Sequence, residues 1–152
     1  MKRYLLAVFI LATSVAAFTQ TSRIPSNREL VSRARSYYVD SDSFYMKREA
    51  LESSLLGQAE FKAWELQITN RADLADMIVH VKRVPFSNHF SYTVKDRATD
   101  TVVMAGKVDS LAGTVYGRIA KEIVEKMVAL RGSPFPDEEK KKNDTDKVAK
   151  SR

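Results

Sequence analysis

A chain of 152 residues with 44% hydrophobic residues and no cysteine can bury one modest core, and the missing thiols exclude a disulfide framework, a thiolate metal site and lipid attachment at cysteine. The formal charge is +6, yet residues 37–136 hold thirteen basic and thirteen acidic side chains, so the excess lies at the two ends of the chain. A nucleic-acid-binding domain carries its cations on the folded face, so no nucleic-acid partner is expected.

Residues 1–17 read as a cleavable signal peptide. Lys2 and Arg3 start it, residues 4–15 are apolar apart from Thr13 and Ser14, and Val15, Ala16 and Ala17 are small enough for a signal peptidase. The apolar run is about a dozen residues where a membrane span needs about 20. Cleavage after Ala17 is therefore expected rather than an uncleaved anchor, which leaves no membrane span in the mature chain. Export without cysteine points to a bacterial periplasmic or secreted protein.

Residues 18–35 form a polar, basic arm. Asn27 is placed to cap a short helix through Glu29, Leu30 and Val31; a flexible arm fits the same composition. A single α/β domain is expected over 36–132. Its first strand covers 36–40. Ser43 caps a helix carrying Leu51, Leu55 and Leu56, which Gly57 ends. A short turn holds Phe61 and Trp64, and Leu66 and Ile68 alternate as in a strand.

Residues 76–84, 89–95 and 101–108 make an antiparallel three-strand meander. Met77, Val79 and Val81 share one face with Phe90, Tyr92 and Val94; Ile78, His80, Lys82, His89, Ser91, Thr93 and Lys95 point the other way. Residues 113–130 give the clearest helix, with Tyr116, Ile119, Ile123, Met127 and Leu130 on one stripe. Within it, Gly117 fits either a close approach to the sheet or simple tolerance. Gly132 and Pro134 end the helix. The expected architecture is a two-layer α/β (α+β) sandwich with a mixed sheet, in the order β-α-β-β-β-β-α, with the helices on one face. The charged tail, 133–152, reads as disordered.

The sequence has no nucleophile elbow, phosphate-binding glycine loop or zinc-binding HExxH. In the hairpin register His80 faces Thr93, about 13 Å from His89, beyond the reach of one zinc ion. No metal and no cofactor are expected. Asp96 and Asp100 frame a turn, and Asp73 and Asp76 flank a strand start. Phe61 and Trp64 read as core residues. His80, Tyr92 and Asp76 remain as candidates for a surface or pocket site.

Ala75-Asp76 leading into the strand 77–81, Tyr92-Thr-Val-Lys-Asp96 followed by Thr99 and Asp100, and a last helix with Ile119, Ala120 and Ile123 together resemble small exported bacterial α/β domains. These are the TolB N-terminal domain, CsgG-type secretion proteins and outer-membrane activators of penicillin-binding proteins. The resemblance covers about residues 36–130, implies the two-layer fold and carries over no functional residue; such domains usually have glycine where Asp100 stands. The function expected is a non-catalytic envelope-assembly accessory or protein-binding domain with an envelope protein as partner. The rival is a small-molecule binder or enzyme with a site between the helix layer and the sheet.

Overall fold

The computed structural model describes residues 25–42, 46–109 and 115–136. The expected leader, its cleavage point, the Ser43 cap, the start of the last helix at 113 and most of the charged tail lie outside them.

The elements in chain order are α1 (Asn27–Arg33), β1 (Ser36–Ser41), α2 (Arg48–Leu56), α3 (Ala59–Ala63), β2 (Gln67–Ile68), a 3-10 turn (Ala72–Leu74), β3 (Met77–Arg83), β4 (His89–Asp96), β5 (Thr101–Asp109) and α4 (Val115–Arg131). The strands form one open sheet in the order β2-β1-β3-β4-β5. β1 runs parallel to β2 and β3, and β3, β4 and β5 form the antiparallel meander. The fold is therefore α+β with a mixed sheet, as the periodicities imply. The short helix offered for the arm is formed as α1, ahead of the first strand, and the Phe61 turn is helical as α3.

The helix of the arm forms because Ser26 and Glu29 make a capping box. The Ser26 hydroxyl accepts the Glu29 N–H, and the Glu29 carboxylate accepts the Ser26 N–H at 2.7 Å. Asn27, expected as the cap, is instead the first helical residue, and its amide donates to the Val103 carbonyl at 3.3 Å. Leu30 and Val31 are fully buried, so this half of the arm belongs to the core.

Strand alternation sets the two faces. Tyr37, Val39, Met77, Val79, Val81, Phe90, Tyr92 and Val94 are buried with Leu30, Leu51, Leu55, Phe61, Ile119, Ile123 and Met127 from the helices. A bulge between Val94 and Lys95 leaves Val103 without a partner on β4. It also lets consecutive residues, Val103 and Met104, both turn inward. α4 packs against α1, α2, α3 and β5. Its stripe is buried at Ile119, Ile123 and Met127 and half-buried at Tyr116 and Leu130. Gly132, at φ +92°, closes the helix with its N–H on the Val128 carbonyl. The turn into β5 puts Asp100 at φ +52°, the left-handed conformation for which glycine is best suited. No helix among the described residues is long and apolar enough to cross a membrane.

Candidate functional site

The three residues singled out from the sequence lie in three different places. Asp76 stands where β1 and β3 begin. One carboxylate oxygen accepts the N–H of Arg35 at 2.8 Å and the N–H and hydroxyl of Ser36, each at 3.0 Å. The Asp76 N–H in turn donates to the Ser36 carbonyl. Burial pushes this carboxyl upward, but the Arg35 and Ser36 donors and the Arg33 charge outweigh it and hold it below the ordinary range. Asp76 is a clamp between parallel strands.

Asp96 frames the β4–β5 turn as expected, ending β4 with its carboxylate accepting the N–H of Thr99 three residues on. It continues the inward series Phe90, Tyr92, Val94 and is only 2% exposed. Arg33 of α1 pairs with it at 3.0 Å, and Thr99 donates both its N–H and its hydroxyl at 2.9 and 2.8 Å. Here too burial raises the carboxyl and its donors, Arg33 first, lower it further. Arg33, Asp76, Asp96, Arg97 and Ala98 line a hollow of about 300 Å³. Its two cations and two carboxylates balance. Both acids are held ionised by donors of the protein itself, so the hollow supplies neither a general acid nor an excess of charge.

Tyr92 lies in the core, 1% exposed, with its ring across the bare backbone of Gly106. Lys126 Nζ sits 5.3 Å from the ring centroid. Burial first, and then the neighbouring Glu122 carboxylate, drive the phenol well above its ordinary range, so it stays neutral. Tyr92 therefore faces the helix layer, whereas His80 is on the opposite face of the sheet and Asp76 at its end. They do not converge on one site between the layers.

His80 has companions that the sequence reading missed. The register pairs His80 with Thr93 on β4, as expected, and with Asp40 on β1. On the open face, His80 Nδ1 lies 3.1 Å from Asp40 Oδ2, and Nε2 lies 3.2 Å from Asp42 Oδ2. One donor atom from each of the three residues falls within 4.8 Å of the others. The expectation of no metal rested on the absent cysteines and on the His80–His89 spacing. Comparing His80 with His89 overlooked the carboxylates of a strand 40 residues upstream. His89 pairs separately with Asp109.

Two further features bear on recognition. The free edge of β5 is occupied from the helix layer. Asn27 donates to the Val103 carbonyl, Lys126 Nζ to Ala105 at 2.5 Å and an Arg118 Nη to Asp109 at 2.7 Å. Strand addition there would have to displace all three. At the β3–β4 turn, Phe86 is 109% exposed at φ +58°. The turn around it is firmly held. Ser87 returns its N–H and hydroxyl to the Val84 carbonyl, and Arg83 Nε donates to the Ser87 carbonyl at 2.9 Å. An aromatic ring in the left-handed region with no burial in return is favoured neither by backbone preference nor by the core.

No family model matches the sequence, and no curated protein matches it. Among solved structures, TolB from Acinetobacter baumannii is 7% identical with a TM-score of 0.46; the match covers 64% of this chain and 28% of that one. Two PelC dodecamer structures from Paraburkholderia phytofirmans are 9% and 10% identical with a TM-score of 0.35 each, covering 64% of this chain and 87% and 86% of those. The chain thus spans little more than a quarter of the TolB chain, and no residue role is taken from any of the three.

Proposed function

We propose that this protein is an exported, non-catalytic accessory domain that binds another protein of the bacterial envelope, with the β3–β4 hairpin as its anchor. Phe86 carries the reading. A fully exposed aromatic on a hydrogen-bonded turn costs backbone strain and apolar exposure in the free protein; the exposure is recovered when a partner's pocket closes over the ring, and the strained turn holds the ring out in advance. The open sheet face beside it, with Tyr38, Ile78, His80 and Thr93, offers a contact surface of mixed character. The apolar leader with small residues before position 18 supports export.

Two measurements test this. A photoreactive phenylalanine at position 86, activated in the producing cells, is expected to give a discrete protein adduct identifiable by mass spectrometry. The same probe at Lys121, on the outer face of α4, is expected to give none. No adduct at 86, or the same adducts at both positions, refutes the hairpin anchor. For export, the intact mass of periplasmic material should correspond to a chain starting at Phe18; retention of residues 1–17 refutes cleavage.

A further inference from the structure

We infer that Asp40, Asp42 and His80 form a binding site for a divalent metal ion, with Zn²⁺ the best match. The inference does not rest on the protein-binding reading. It starts from the two sides of one imidazole. A neutral ring carries a single N–H, yet both His80 nitrogens face a carboxylate oxygen, at 3.1 and 3.2 Å. One of the two contacts therefore sets a nitrogen lone pair against an anionic oxygen unless a second cation lies between them. That cation is either a proton or a metal ion.

The geometry suits the metal. Two ligands of one tetrahedral zinc ion, each about 2.1 Å from it, stand about 3.4 Å apart, close to the separation of His80 Nε2 from Asp42 Oδ2. On the far side Asp40 takes the Nδ1–H, which fixes the tautomer with Nε2 free to ligate, the carboxylate–histidine–metal arrangement. The backbone sets these positions. Asp40 and His80 are paired residues of adjacent parallel strands, and the Asp42 N–H is tied to the Val81 carbonyl. A donor set of imidazole and carboxylate favours zinc over the harder magnesium ion. Asp42 is the most exposed of the three, so the remaining coordination positions open to the solvent side of the sheet.

Isothermal titration of the purified protein with ZnCl₂, and in parallel with MgCl₂, tests the site. Zinc is expected to bind at one ion per chain and magnesium far more weakly. His80→Ala and Asp42→Asn should each abolish the zinc heat. Asp40→Ala, which removes only the positioning contact, should weaken it by about tenfold to a hundredfold. His89→Ala should leave it unchanged. Zinc should also shift the Nε2 resonance of His80 in nitrogen-15 spectra, a readout independent of overall stability. Absence of zinc binding up to millimolar concentration overturns the inference. So does binding that survives His80→Ala, or that is lost instead on His89→Ala.

Discussion

The two ends of β1 and β3 carry aspartates with opposite fates. Where the strands begin, Asp76 and its neighbour Asp96 on β4 are enclosed by backbone N–H groups, hydroxyls and Arg33. Where β1 ends, Asp40 and Asp42 meet one imidazole on an open surface. The carboxylates at the first end are saturated by the fold and serve it. Those at the second hold a cluster that no strand or helix requires. Saturation by the protein's own donors, rather than the mere presence of acids, separates a structural aspartate from one available to a ligand.

This contrast breaks most visibly on substitution. Asp96→Ala removes a buried charge together with its three hydrogen-bonded contacts, and its cost should be about 2–3 kcal/mol. The half-exposed Arg33 can still reach water, which keeps the loss below that of a fully buried pair. Asp42→Ala, on the open surface, should change stability by no more than about 0.5 kcal/mol. Urea unfolding of both variants measures the difference. Equal losses would erase the distinction between the two ends.

Acid should act on the same end. Asp76 and Asp96 have carboxyls lowered in the folded state from the ordinary value of 3.8. A lowered carboxyl contributes stability that is present above its unfolded value and is lost as pH falls toward its folded value. The unfolding midpoint of the wild type should therefore fall as pH is lowered from about 5 to about 3. Asp96→Asn should fall less over the same interval, since one of the two linked groups no longer titrates. Identical slopes would mean that Asp96 is not held ionised by Arg33 and Thr99.

How much of this was legible follows from the range of each interaction. The meander was readable because alternation and one turn fix its register, and His80 does face Thr93. The turn framed by Asp96 was readable as well, and the same alternation, carried one step beyond Val94, puts its carboxylate inside. The capping box of α1 was present as Ser26 and Glu29, with Leu30 and Val31 as the apolar pair that the helix buries. The Asp40–His80 contact was not readable, because it depends on β1 inserting between β2 and β3, and no local pattern specifies that order. Nor does local sequence reveal that Phe86 takes a positive φ, since an aromatic residue is disfavoured there.

The smallest expected effect concerns the helix layer, where Gly117 left a choice between close packing and tolerance. A Cβ built at Gly117 meets nothing within 4 Å, in contrast to Gly106, where it would strike the Tyr92 ring at 2.6 Å. Close approach to the sheet is therefore not the reason for this glycine. In an exposed helical position, alanine loses less backbone freedom on folding than glycine and gains up to about 1 kcal/mol. Gly117 stands in the first turn of the described part of α4, where the helix is less fully bonded, so a gain of about 0.5 kcal/mol is the better expectation. Gly117→Ala should raise the thermal midpoint by a few degrees. Gly106→Ala, measured beside it, should lower the midpoint, because the inserted methyl must displace a buried ring. A stabilised Gly117→Ala with a destabilised Gly106→Ala locates close packing at the Tyr92–Gly106 pair. Loss of stability at Gly117 would instead mean that the outer surface of α4 is in contact with another part of the chain.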